Sequence, residues 1–311
     1  MIALMFPGQG SQAVGMGRDL YDAHEAARFT YEAASTVLGY DMAELSFEGP
    51  AEKLAQTAYT QPALLTHSIA TLRVLQESDF GFDLALGHSL GEYSALVATD
   101  ALGFDDALRL VKRRGEAMTA AARRQPGAMA AVLGLDADTV EELCEAVPDV
   151  WPANFNSPGQ VVVSGSEAGV EALVAAADAA GAKRSLKLNV SGAFHSPLVA
   201  AAVDELRPLL EETAFAEPAP SFFSVCTVDY EVEDFALLLQ RQIVSPVRFE
   251  QSIRRLLTEG YNSYLEVGQG NVLAGLVKRI APEAAAASAG DPESLERVLA
   301  GWPQIEGGGD P

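Results

Sequence analysis

The 311-residue chain predicts an α/β fold in which a larger domain is interrupted by a small ferredoxin-like one. Three observations carry this reading. Ile2 to Phe6 is an apolar run halted by Pro7-Gly8, the pattern of a buried strand entering a loop. A second apolar run, Leu84 to Gly87, passes through a Gly-x-Ser-x-Gly turn into a helical pattern. After Pro126-Gly127 the texture changes to strand, helix, strand, strand, helix, strand up to about Val190, the order of a split βαβ unit.

Taken in order, helical periodicity dominates from Ala63 to Leu75 after the first strand. Ser89 to Val97 patterns as a helix after Leu84–Gly87, and Phe104 to Arg124 as a long amphipathic one. In the inserted unit, Met129–Leu133 reads as a strand and Asp138–Ala146 as a helix. Gln160–Ser164 is a further strand, Glu167–Ala180 an Ala-rich helix, and Arg184–Val190 the closing strand. Larger elements then return: a helix from Pro197 to Leu210, one from Phe249 to Glu259, a strand at Tyr264–Val267 and a helix after Gly270. The expected division is 1–126 with 192–285 for the large domain, 127–191 for the insert, and a tail over 286–311 that frays at its end.

Composition narrows the function. Hydrophobic residues make up 49% of the chain, enough for a sizeable core. Acidic residues outnumber basic ones 43 to 21, a net charge of −22. That balance argues against a nucleic-acid partner, which needs a basic face, and against a polybasic membrane anchor. The two cysteines, Cys144 and Cys226, are too few for a disulfide framework and lack metal-site spacing. The start, Met1-Ile-Ala-Leu-Met-Phe-Pro-Gly, has no signal-peptide character, and no apolar run reaches the length of a membrane span. The expectation is a cytoplasmic protein.

Gly87-His88-Ser89-Leu90-Gly91 has the form of a nucleophile elbow. Glycines on both sides let the backbone turn sharply and leave the serine hydroxyl at a helix N-terminus, where backbone N–H groups favour a developing oxyanion. Such a serine needs a base, and the chain has four histidines. His24 lies among Asp22, Glu25 and Arg28 on a solvated face, His67 sits within a helix, and His88 adjoins the serine but points elsewhere. His195, in the loop Ser191-Gly-Ala-Phe-His-Ser-Pro197, remains. Phe6-Pro-Gly-Gln-Gly-Ser-Gln12 lacks a P-loop lysine, so its glycines make a weak phosphate site; Gln9 could instead donate to an oxyanion. Arg109, Lys112, Arg113 and Arg114 cannot all share one solvated face. One is expected to turn inward, although a snorkelling surface arginine accounts for the run more simply.

These residues together resemble a family, the malonyl-CoA:acyl carrier protein transacylases of bacterial fatty-acid synthesis, up to about residue 281. The similarity rests on Pro-Gly-Gln-Gly-Ser-Gln at 7–12, Thr60-Gln-Pro-Ala63, Gly-His-Ser-Leu-Gly-Glu at 87–92 and Ala-Met-Ala-Ala at 128–131. It continues through 156–165, Ala193–Ser196, Arg241–Arg248 and Glu266–Gly270, all in family order. The resemblance implies an α/β-hydrolase-like large domain with an inserted ferredoxin-like domain. It implies Ser89 as nucleophile, His195 as base, Gln9 and the Leu90 N–H as oxyanion hole, and Arg114 as partner of the malonyl carboxylate. Gln242 matches the residue whose backbone carbonyl orients the histidine, and Phe194 resembles malonyl-selective members. The partners implied are malonyl-CoA and acyl carrier protein; CoA enters as a thioester substrate, with no bound cofactor and no metal, and a monomer is the family expectation. The alternatives are a stand-alone acyltransferase of a polyketide pathway, a thioesterase or esterase, and a catalytically dead scaffold. Gln269, Ser245 and Phe249 depart from the residues usual in the family, and 221–226 lacks a common asparagine. Because carrier proteins are acidic, a local basic patch is expected, from Lys183, Arg184 and Lys187 or from Arg254 and Arg255.

Overall fold

Two sheets organise the chain, which a computed structural model describes for residues 1–190 and 192–302. The first half supplies β1 (Ile2–Phe6), α1 (Arg18–Ala23), α2 (Glu25–Leu38), α3 (Met42–Glu48), α4 (Ala51–Leu54), α5 (Thr57–Gln76), β2 (Leu84–Gly87), α6 (Gly91–Ala98) and α7 (Phe104–Arg124). The insert follows as β3 (Ala128–Leu133), α8 (Ala137–Ala146), β4 (Val150–Ser157), β5 (Gln160–Gly165), α9 (Glu167–Ala179) and β6 (Arg184–Lys187). The chain then returns with α10 (Ala201–Glu212), β7 (Ser221–Ser224), β8 (Asp229–Tyr230), α11 (Phe235–Val244), α12 (Phe249–Thr258), β9 (Ser263–Val267), α13 (Val272–Ile280), β10 (Ala285–Ala289) and α14 (Pro292–Leu299).

The large sheet has the order β10-β9-β1-β2-β7-β8 and is parallel except for the β7–β8 pair. Its central strands are apolar throughout because helices cover both faces. Along β1 the period of two divides the side chains. Leu4 and Phe6 enter a cluster with Leu65 and Ile69 of α5 and Leu108 and Val111 of α7. Ala3 and Met5 enter another, with Ile253 and Leu256 of α12 and Leu276 and Val277 of α13. The smaller sheet, β4-β5-β3-β6, is antiparallel, and Val132, Phe155, Val161 and Val163 pack under Val140 of α8 and Leu173 of α9. This is the ferredoxin-like insert on an α/β-hydrolase-like domain that the sequence implied. Among the described residues no helix is long and apolar enough to cross a membrane.

Several boundaries differ from the expectation. α5 begins at Thr57 and runs through Pro62, so the helical pattern read from Ala63 is only its later part. β4 is the strand that the split pattern required but for which no bounds were assigned. β6 ends at Lys187 rather than Val190, and the helix expected from Pro197 divides into a 3-10 turn over Pro197–Val199 and α10. The expected tail from 286 is corrected: β10 pairs in parallel with β9, and α14 follows with Asp291 and Ser294 forming its capping box. Residues 303–311 lie outside those described.

Candidate active site

The turn after β2 is set by close approach. A Cβ on Gly87 would sit 1.9 Å from the Gly91 carbonyl carbon, and one on Gly91 would sit 2.0 Å from the Phe6 carbonyl oxygen. Only two glycines let the elbow fold against itself and against β1. Between them Ser89 takes φ 54°, a left-handed conformation uncommon outside glycine, and α6 starts at Gly91. Leu90 is the N-cap of that helix, so its N–H lies among the donors that have no partner inside the helix. His88 is half-buried; its Nε2 lies 3.0 Å from Asn156 Oδ1 on β4, and its backbone N–H donates to the Phe6 carbonyl. Burial lowers its pKa, leaving it neutral.

His195 reaches this turn from the loop after the insert. The Ser89 hydroxyl stands 2.8 Å from His195 Nε2. On the other side of the ring, Nδ1 lies 3.1 Å from the Gln242 carbonyl and 3.0 Å from the Ser245 carbonyl. Two acceptors at Nδ1 require the proton there, which makes Nε2 the acceptor for the serine. Burial, followed by the nearby Arg114 and His88, pushes the His195 pKa down to about 3. It is therefore an unprotonated imidazole at neutral pH. Like Ser89 it has positive φ, 58°. Ser196, whose hydroxyl donates to the Ala193 carbonyl, closes the loop behind it.

Arg114 resolves the basic run on α7. Arg109 pairs with Asp106 in solvent, Lys112 donates to the Leu38 carbonyl, and Arg113 pairs with Glu205. Arg114 alone turns inward, with 1% of its surface exposed and its guanidinium 5.7 Å from the centre of the Tyr93 ring. Its Nη2 donates to Ser89 Oγ at 3.1 Å and to Gln242 Oε1 at 3.0 Å. Burial lowers its pKa from the ordinary guanidinium value.

Sequence reasoning assigned Gln242 only through its carbonyl and passed over Glu92. In the structure the Gln242 side chain donates to the Ser89 carbonyl at 2.8 Å and to Glu92 Oε2 at 2.6 Å. Glu92 Oε1 accepts from the Ser224 hydroxyl and the Val225 N–H, both at 2.8 Å. Burial pushes the Glu92 carboxyl up to about 7 against these hydrogen bonds. A signal was present: Glu92 is the one charged residue in α6.

Ser89, His195, Arg114 and Gln242 are thus joined by direct hydrogen bonds. Gln9, half-buried on the loop after β1, instead donates to Thr57 Oγ1 at 3.2 Å. Of the remaining histidines, His24 stands at the N-cap position of α2 with no capping hydrogen bond from its side chain, while His67 is buried in α5 with its pKa lowered to about 4 by burial. The departures at 245 and 249 fit this frame. Ser245 contributes a main-chain carbonyl, which any residue supplies, and the buried Phe249 ring lies 6.0 Å from that of His88.

Comparisons with known proteins extend the description. Residues 4–293 match the acyl transferase domain family. The chain is 44% identical over 304 residues to a malonyl CoA-acyl carrier protein transacylase of Bacillus subtilis, covering 96% of each chain. It is 42% identical over 303 residues to that of Escherichia coli K12, covering 96% of this chain and 98% of the other. Among solved structures, a crystal structure of MCAT from Streptococcus pneumoniae matches with a TM-score of 0.93 at 41% identity, over 96% and 99% of the two chains. A malonyl-transacylase in complex with its type II PKS acyl-carrier protein matches at 0.91 and 43%, with the same coverage.

Proposed function

The chain belongs to the acyl transferase domain family and, within it, to the malonyl-CoA:acyl carrier protein transacylases, and from that premise we propose a two-step transfer through a malonyl-serine intermediate. Ser89 Oγ attacks the thioester carbonyl of malonyl-CoA while its proton passes to His195 Nε2. Gln9 and the Leu90 N–H hold the resulting oxyanion. For this the Gln9 amide turns from Thr57 toward the substrate. The intermediate collapses, the carbon–sulfur bond breaks, and CoA leaves as the thiol with the proton from His195. In the second step His195 takes the proton of the carrier's phosphopantetheine thiol, and the sulfur attacks the serine ester. Ser89 then recovers its hydroxyl proton.

Among the described residues no carboxylate meets the His195 ring to complete a triad. The Gln242 and Ser245 carbonyls fix the His195 tautomer and leave no counter-charge beside the ring. The observation that carries the reading is the buried Arg114 within 3.1 Å of the Ser89 hydroxyl. An esterase for neutral acyl groups has no use for a buried cation there, whereas a malonyl carboxylate pairs with it through the guanidinium fork. The test is transfer from malonyl-CoA to a purified holo carrier protein, followed by intact mass. The expected product is malonyl-carrier; release of free malonate with no carrier product overturns the reading in favour of a thioesterase.

The carrier itself is expected to dock near β6. Arg254 is held by Glu250, and Arg255 by Asp229 and Glu259. Lys183, Arg184 and Lys187 are exposed, and no ion pair among the described residues engages them. On a chain of net charge −22 they offer the local attraction that an acidic carrier needs. Reversing all three to glutamate is expected to lower kcat/KM for the carrier about tenfold at low salt, with the loss shrinking as salt screens it. Self-acylation from malonyl-CoA stays unchanged. An unaltered KM for the carrier refutes this docking face.

A further inference from the structure

We propose that Glu92 is a positioning residue for acyl selection, acting through the Gln242 amide on Arg114 and His195. The inference rests on the malonyl-transfer reading above. Its basis is the orientation of one amide. The two N–H bonds of Gln242 Nε2 are both committed, one to the Ser89 carbonyl and one to Glu92 Oε2. The only orientation left for Oε1 is toward Arg114, which it meets at 3.0 Å. The same residue's main-chain carbonyl accepts from His195 Nδ1. One residue thus holds both the anion-binding group and the base, and the Glu92 carboxylate determines which way it faces.

Glu92 is itself held as an acceptor. It is fully buried on α6, and the donors aimed at it come from three directions: the Ser224 hydroxyl, the Val225 N–H and the Gln242 amide. A glutamine at this position cannot satisfy all of them. If its oxygen faces Ser224 and Val225, its NH2 meets the NH2 of Gln242, and Gln242 must rotate. Rotation places a donor against the Arg114 guanidinium and removes the donor from the Ser89 carbonyl. If its oxygen faces Gln242, its NH2 confronts the Val225 N–H. Either way a buried donor between Glu92 and Gln242 loses its acceptor.

The experiment compares kcat/KM for malonyl-CoA and acetyl-CoA in wild type, E92Q, E92D and S224A, with thermal melts establishing which variants fold. E92Q is expected to lower the malonyl-to-acetyl ratio by at least about tenfold, the size of one misdirected hydrogen bond to a charged group. E92D keeps the carboxyl group and can keep Ser224 and Val225, but withdraws from Gln242, so its ratio falls as well. It supplies the reading if E92Q does not fold. S224A removes a Glu92 partner without touching Gln242; it lowers the melting temperature and leaves the ratio as in wild type. A purely structural Glu92 would lower stability in all three variants and change the ratio in none, which overturns the inference. Failure of the wild-type enzyme to transfer malonyl would instead overturn the reading on which the inference rests.

Discussion

Ser89→Ala is expected to acquire no mass on incubation with malonyl-CoA, while the wild-type enzyme gains one malonyl group on the peptide containing Ser89. The variant loses the hydroxyl that the structure sets 2.8 Å from an unprotonated imidazole. His195→Ala keeps the hydroxyl but loses the proton acceptor, and general-base assistance is worth on the order of 10²–10⁴ in rate. Its acylation is therefore slow rather than absent. Single-turnover kinetics with a mass readout separates the two variants. Labelling that persists in Ser89→Ala, or maps to another peptide, would exclude Ser89 as the acyl carrier. Because α6 and the elbow are held by main-chain contacts and by Gly87 and Gly91, neither substitution is expected to unfold the chain.

The second large effect concerns Arg114. Its removal is expected to cost malonyl transfer roughly 2–5 kcal/mol, the range for breaking a desolvated charge pair. Acetyl transfer is left unchanged or made faster, because acetyl-CoA brings no carboxylate and leaves the buried cation uncompensated in wild type. Arg114→Lys restores charge but not the two-pronged geometry, and it also withdraws from Gln242 Oε1, so it recovers little. The ratio of specificity constants for the two thioesters in wild type, Arg114→Ala and Arg114→Lys decides the matter. A ratio that does not move would place malonyl selection elsewhere.

The parts of the fold that could be read beforehand were those where a local pattern and its tertiary role coincide. The elbow is such a case: the glycines that mark it in the sequence are the ones whose missing Cβ atoms allow the contact with β1. The insert is another, since its strands and helices alternate at short spacing. β7 was missed because four residues, Ser-Phe-Phe-Ser, carry too little period to stand out. β10 was missed because alanine is a weak strand former, and Ala285–Ala289 is held in place by its ladder with β9 rather than by its own propensity. Within the site, Ser89 and His195 were legible because their chemistry needs those residue types. Arg114 could be expected to face inward only as one of a run of four, and the structure selects it. The Gln242 amide left no mark in the sequence, and Glu92 stood out only as the single charged residue of α6, with nothing to show which groups it meets. The acceptor that orients His195 is a main-chain carbonyl, which leaves no mark on residue identity.

Ser89 and His195 both occupy the left-handed region of backbone space without being glycine. Each such residue costs about 1–2 kcal/mol against a relaxed conformation. The chain therefore carries its reactive pair as a standing liability, set against the few kcal/mol by which a protein of this kind exceeds unfolding. Glycine at either position relieves that backbone cost and removes the reacting side chain in the same substitution.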